Sequence, residues 1–227
     1  MSIDVNKYRE ILAMLGDRVG LVAVSKTKPA EDILELYELG QRDFGENYVQ
    51  EMLEKQLQLP ADIRWHFIGH LQSNKVKMIA SFVHLIQGVD SLRLLMEINK
   101  QGIKHGRVIT CLLQVHIAEE ETKFGFNAAE LIDMLKEPEL SAATHIHIAG
   151  LMGMASFSTD MEKIKKEFRY LKSLYDQCAT LLNRLPGSPA APGFSVLSMG
   201  MSSDYKEAVA EGSTLVRIGS LIFGQRK

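Results

Sequence analysis

The sequence predicts an α/β protein built as a single (β/α)₈ TIM barrel over residues 1–227, with an extra helix ahead of the first strand. Three observations predict it. Short apolar or β-branched runs alternate with amphipathic helical stretches along the whole chain, the pattern of repeated βα units. The runs number about eight, and the length suits a compact barrel. No G-x-G-x-x-G follows any of them, which counts against the main rival, an open doubly wound sheet.

The elements follow in order. A helical pattern over residues 4–15 precedes "LVAVS" from 21, an apolar run that climbs into Lys26, Thr27, Lys28 and Pro29 before "EDILELYELG" turns helical. "RDFGE" from 42 and "WHFIG" from 65 are the next strands, with the helix "NYVQEMLEKQL" between them. "NKVKMIAS" leads to a strand "VHLIQ" from 83, and "SLRLLMEINKQG" to the longer "VITCLLQVHI" from 108. "NAAELIDMLKE" then separates that strand from "HIHIAGLM" at 145. The long helical stretch "TDMEKIKKEFRYLKSLYDQCATLLNRL" precedes "FSVLS" from 194, and "SDYKEAVAEG" precedes "TLVRIG" from 214. "PGSPAAPG" at 186–193 has a linker's composition but reads as a surface connection, so no domain boundary is expected.

Composition narrows the function classes. A hydrophobic fraction of 46% and a charged fraction of 24% are ordinary for a globular protein. With 26 Lys and Arg against 28 Asp and Glu, no large basic field exists to hold nucleic acid or an acidic membrane. The opening "MSIDVNKYRE" lacks the apolar core of a secretory signal, and no apolar stretch is long enough to span a bilayer, so a cytoplasmic location is expected. Cys111 and Cys178 fall in apolar and helical patterns and read as buried packing residues.

Barrel active sites lie at the C-terminal ends of the strands. Lys26 closes the first strand, on the face of Val22 and Val24, with Ser25 on the face of Leu21 and Ala23. A partly desolvated lysine there becomes a nucleophile toward a carbonyl, with a Schiff base as its product. A lysine that lays its stem on apolar surface and its head in water fits the position equally well. Lys28 reads as a solvated turn residue. At the other end of the chain, the seventh strand ends at Ser198, followed by Met199 and by Gly200, which permits close backbone approach. Asp204 with Glu207 three residues later marks a helix start, and free N–H groups over Ser198 to Ser203 suit a phosphate. The eighth strand ends at Arg217, with Gly219 and Ser220 in the next turn. Tight turns alone explain either Gly/Ser loop, but two of them after strands seven and eight fall where barrels bind phosphate. An aromatic aldehyde bearing a phosphate, such as pyridoxal 5′-phosphate, spans the lysine and the two loops. A guanidinium at its pyridine nitrogen keeps that nitrogen unprotonated.

The motifs "AVSKTKP" at 23, "FGENYVQE" at 44, "WHFIGHLQSNK" at 65, "TKFGF" at 122, "GLMGM" at 150, "SMGMSSD" at 198 and "VRIGSLIFG" at 216 together resemble the pyridoxal phosphate homeostasis proteins (YggS/PROSC type), relatives of the N-terminal barrel of alanine racemase. The resemblance implies an alanine-racemase-like barrel without the C-terminal β domain of the racemases. It implies pyridoxal 5′-phosphate on Lys26 as an internal aldimine, Arg217 facing the pyridine nitrogen, and a phosphate held with the help of Ser198, Gly219 and Ser220, with Met199 and Gly200 counted among the cofactor-binding residues. Asn47 and His66 stand in motifs that line the same pocket. It further implies a protein that binds the cofactor and buffers it or supplies it to apo enzymes in vitamin B6 homeostasis, without established turnover; a monomer is expected. A racemase-like enzyme is the alternative, weakened by the expected absence of a second domain with its acid/base partner. A Schiff-base aldolase or a sugar-phosphate isomerase on the same fold is a third reading.

His145 and His147 share a strand face at a chelating spacing, but no neighbouring strand ends in a clear acidic ligand, so strand histidines with satisfied hydrogen bonds are the preferred reading. "EEET" at 119–122 reads as a solvated loop beside Lys123. The methionines of "GLMGM" fit a pocket floor or ordinary packing.

Overall fold

A computed structural model describes residues 3–118, 124–182 and 193–225. The acidic run at 119–122, Lys123 and residues 186–192 of the Pro/Gly segment lie outside the described residues. Eight parallel strands close into one barrel in the order of the sequence, β1 pairing with both β2 and β8. The elements run α1 Val5–Leu15, β1 Gly20–Val24, α2 Ala30–Glu38, β2 Asp43–Glu46, α3 Val49–Gln58, β3 Arg64–Phe67, α4 Val76–Ile79, β4 Leu85–Val89, α5 Leu92–His105 and β5 Ile109–Val115. They continue as α6 Ala128–Met134, α7 Pro138–Ser141, β6 Ile146–Gly153, α8 Met161–Leu182, β7 Val196–Ser198, α9 Tyr205–Ala210, β8 Leu215–Ile218 and α10 Ser220–Phe223.

Local chemistry sets several of these boundaries. Asp4 caps α1 by accepting from Lys7 N–H, and Asn127 with Glu130 forms a reciprocal capping box on α6. Ser91 caps α5, which runs three residues past its expected end at Gly102 and stops at Gly106, whose φ of 61° suits glycine. β4 is displaced two residues from the expected run: Val83 packs into the outer core ahead of the strand, and Gly88 and Val89 extend it. A Cβ on Gly88 would meet Gly69 O at 2.5 Å, so this part of the strand depends on glycine. Two short helices were not expected. Pro138 opens α7, and the segment after β8, read as a turn, is the helix α10.

The core has two parts. Between strands and helices lie fully buried side chains such as Phe44, Met52, Ile86, Leu95 and Phe168, each contributing about 2 kcal/mol by leaving water. Inside the barrel a smaller cluster of Val22, Leu85, Leu112, Ala149, Met152 and Leu215 marks the inward face of β1, β4, β5, β6 and β8. Met152 fills this interior and Met154 packs against it, so both methionines pack beneath the mouth. Cys111 and Cys178 are buried and free. Burial raises both thiol pKa values, that of Cys178 to about 12, as suits inert packing residues.

Candidate functional site

β1 ends at Val24, so Ser25, Lys26 and Thr27 form a turn beyond the strand and Lys26 is half-buried at the barrel mouth. Thr27 has φ of 65°, the one positive value at a non-glycine residue among the described residues, and holding a β-branched residue there costs about 1 kcal/mol or more. Its N–H donates to Glu51 Oε1 at 2.5 Å. Lys55 Nζ reaches Glu51 Oε1 at 2.7 Å, Glu46 Oε1 at 2.7 Å and Ser25 O at 2.8 Å, while Ser25 Oγ donates to Glu46 Oε1 at 2.6 Å. A buried clamp from β2 and α3 thus fixes the turn that presents Lys26. Burial raises the Glu46 pKa against the pull of Lys55 and Ser25. Sequence reasoning missed this clamp, although a glutamate ending a strand is a visible signal.

The loops after β7 and β8 come up beside this turn. Gly219 packs on β1 so closely that a Cβ would lie 3.0 Å from Val24 O. Gly200, at φ of 96°, leaves no room for a side chain against Ala208, where a Cβ would meet the methyl at 2.6 Å. Ser202 Oγ accepts from Gly219 N–H at 3.3 Å and ties the two loops together. Ser220 and Leu221 open α10, where N–H groups have no intrahelical acceptor. Met199 turns its side chain into the outer core, so only its backbone is left near the mouth. Asp204 does not form the expected cap on α9. Its Oδ1 instead accepts from Met201 N–H at 2.6 Å, which tightens the loop, and burial raises its pKa.

Lys28 is not the solvated turn residue expected. Its Nζ donates to the carbonyls of Phe223 at 2.7 Å and Gly224 at 3.2 Å, closing the C-terminal end of α10. The sequence separation of 195 residues hides this contact from any local reading.

Below the mouth, five strands contribute one continuous polar line. Arg217 Nη1 donates to Ser198 Oγ at 2.5 Å and Nη2 to Gly153 O at 3.0 Å. Ser198 Oγ donates to Gln87 Oε1 at 2.7 Å, Gln87 Nε2 faces His66 Nδ1 at 3.0 Å, and His66 Nε2 faces Asp43 Oδ1 at 2.9 Å. Direction is imposed from one end, because a guanidinium can only donate. Ser198 Oγ accepts from it and donates its own O–H to Gln87 Oε1; the Gln87 amide nitrogen then donates to His66 Nδ1. The proton of neutral His66 therefore sits on Nε2, toward Asp43. Burial lowers the Arg217 pKa to about 10, partly offset by Asp204, which leaves it charged at neutral pH. Asp43 sits well below its ordinary pKa: burial works against ionisation, but hydrogen bonds from Arg64 and His66 outweigh it.

The predicted residues thus fall into two groups. Lys26, Gly200, Gly219 and Ser220 meet at the mouth, with Asn47 just past β2; its Oδ1 is buried and has no partner among the described residues. Ser198, His66 and Arg217 lie on the floor with their polar atoms engaged to one another through Gln87. Gln87 itself was missed, although an amide inside the apolar run "HLIQGV" is a signal that something polar faces it. His145 Nδ1 is paired with Thr144 Oγ1 at 2.9 Å, and neither it nor His147 joins a metal-like cluster among the described residues.

Residues 5–227 match the family described as Alanine racemase, N-terminal domain. The chain is 38% identical over 213 residues to a protein of Pasteurella multocida called pyridoxal phosphate homeostasis protein, covering 92% of this chain and 87% of that one. A human protein of the same name is 40% identical over 216 residues, covering 91% of this chain and 76% of that one. Among solved structures, PipY of Synechococcus elongatus with PLP bound superposes with a TM-score of 0.84 at 36% identity, covering 96% of this chain and 99% of that one. An alanine racemase of Clostridium difficile shares the fold, with a TM-score of 0.74 at 13% identity, this chain spanning 56% of its length.

Proposed function

The chain belongs to the pyridoxal phosphate homeostasis proteins, within the alanine racemase N-terminal domain family, and we propose that it binds pyridoxal 5′-phosphate as a Schiff base on Lys26 and buffers or supplies it in vitamin B6 homeostasis. The observation that carries this reading is the contact of Gly219 with the end of β1, which sets the lysine turn and the Gly/Ser loops side by side over a buried arginine. The residues fit the group. A backbone cradle at Gly200, Gly219 and Ser220 supplies N–H groups to a phosphate, the unpartnered Asn47 Oδ1 offers an acceptor at the mouth, and Arg217 stands beneath with charge and donors only.

When bound, the cofactor supplies an electron-withdrawing ring and an aldehyde. Lys26 forms the covalent tether, with its turn held rigid by Glu51, Lys55 and Glu46. Arg217 has no proton to yield at neutral pH, so a ring nitrogen facing it stays unprotonated and the ring is a weak electron sink. Ser198 and His66 act through Arg217, since the Ser198 hydroxyl and both His66 nitrogens are engaged in the floor line. This arrangement supports holding the cofactor over spending it on turnover, and the names of the relatives support the same reading over a racemase. No helix among the described residues is long and apolar enough to cross a membrane. We infer a cytoplasmic monomer that passes the cofactor to apo enzymes. Borohydride reduction of the cofactor-loaded protein followed by peptide mapping tests the tether: label on Lys26 supports it, and label on another lysine sinks it.

A further inference from the structure

Asp43, His66 and His84 converge at the closed end of the barrel, opposite Lys26. Asp43 opens β2, His84 directly precedes β4, and His66 points inward from β3 between them. One ligating atom from each lies within 4.8 Å of the other two. We propose that these three side chains form a binding site for a divalent transition-metal ion, with water completing its shell.

Two imidazoles and one carboxylate are a donor set for Zn²⁺, Co²⁺, Ni²⁺ or Cu²⁺. In a tetrahedral shell with bonds of about 2.0–2.1 Å, neighbouring ligand atoms stand about 3.3 Å apart. His66 Nε2 and Asp43 Oδ1, at 2.9 Å, are already near that spacing. His84 is exposed and its ring centroid is 5.5 Å from that of His66, so a side-chain rotation of about 1.5 Å or less brings it in. Its exposure also gives the ion a route from solvent. Gln87 lies 3.0 Å from the other nitrogen of His66, and with its amide oxygen turned there it becomes the acceptor that orients a metal-ligating histidine.

Arg64 binds both oxygens of Asp43, and Arg107 is anchored beside His84 on the carbonyls of Ala80 and Val83. Both guanidiniums oppose a doubly charged ion. Binding therefore depends on strong metal–imidazole bonds, which selects against Mg²⁺ and Ca²⁺, ions that take oxygen ligands.

Ligation also has a consequence along the floor line. Ligation uses the lone pair of His66 Nε2, so the proton there leaves to water while water supplies one to Nδ1, and the ring stays neutral. A protonated Nδ1 needs an acceptor, so Gln87 turns its amide oxygen toward it and its NH₂ toward Ser198, whose Oγ then accepts from both Gln87 and Arg217 while its own hydrogen loses the Gln87 acceptor. Occupancy at the closed end thereby reaches the partner of Arg217.

The test is titration of the cofactor-free chain with Co²⁺, read by visible absorption, with Zn²⁺ and Mg²⁺ as competitors. The expected result is a tetrahedral cobalt spectrum at one ion per chain, displaced by Zn²⁺ and not by Mg²⁺. His84→Ala, an exposed change, weakens it roughly tenfold or more, and His145→Ala leaves it unchanged. No binding of either Co²⁺ or Zn²⁺ at millimolar concentration, or equal binding by wild type and His84→Ala, overturns the site. The side-chain amide resonance of Gln87, identified by its loss in Gln87→Glu, shifts when Zn²⁺ binds; an unmoved resonance with Zn²⁺ bound overturns the link to Arg217.

Discussion

Gly219 lies against Val24 with so little space that a Cβ would sit 3.0 Å from the Val24 carbonyl oxygen and 3.2 Å from its Cβ. The last βα loop is thereby pressed onto the strand end that leads into Lys26. Gly219→Val forces that loop outward. Pyridoxal 5′-phosphate affinity falls about tenfold, or about 1.4 kcal/mol, in a fluorescence titration. An unchanged affinity would remove this loop from the binding site.

Ser198→Ala separates a floor role from a direct phosphate role. It strips Gln87 Oε1 of its donor and Arg217 Nη1 of an acceptor, so the fold loses about 2 kcal/mol in urea denaturation while Lys26 still takes the borohydride label. Lost cofactor affinity at unchanged stability is the opposite result, and it would make Ser198 a phosphate ligand.

Lys55→Met leaves the Glu46 carboxylate buried without its cation, since the two side chains are 7% and 0% exposed. The expected cost is about 3–5 kcal/mol. In the double variant with Glu46→Gln much of that loss returns, because the uncompensated charge is gone. Chemical denaturation of the three variants measures the coupling, and additive effects would contradict it.

Asp43 gives a pH dependence whose sign follows from its lowered pKa. The group is ionised in the folded chain well below its ordinary pKa of 3.8, so its contribution is complete at neutral pH and drains away as pH falls from about 5 through 4 and below. Glu46 and Asp204, both raised by burial, act in the other sense. Asp43→Asn isolates the effect: its urea midpoint falls less steeply with acid than that of wild type. Parallel profiles would mean that the contacts with Arg64 and His66 do not stabilise the ionised form.

Lys28→Met releases the carbonyls at the end of α10. Hydrogen exchange of the amides from Ile222 to Gly224 speeds up by about tenfold, the effect of losing a charge-assisted bond worth about 1.5 kcal/mol. Exchange unchanged in this segment would leave Lys28 as the solvated residue its sequence position implies.

The order of strands and helices was legible because burial imposes a period on the chain, and eight short apolar runs leave few ways to close a sheet. Lys26 and the glycines at 200 and 219 were legible for a related reason: a charged residue at the end of an apolar run and glycines after two later ones mark positions where ordinary packing rules are suspended. Boundaries were less legible. The run "VHLIQ" looked like a strand, yet Val83 serves the outer core and Gly88 extends β4, because the close approach of Gly69 O lies in another segment.

The sequence by itself determined the class of fold, the order of its strands and helices and the composition of the two Gly/Ser loops. Tertiary structure alone decided which polar groups share the floor. Ser198 and Gln87 are 111 residues apart and Lys28 and Phe223 are 195 apart, so no local pattern relates them. Barrel closure and strand register set β7 and β8 beside the ends of the earlier strands. The physical reason is that side-chain alternation tells which face a residue takes, whereas hydrogen-bond partners depend on register between strands that only the closed sheet defines.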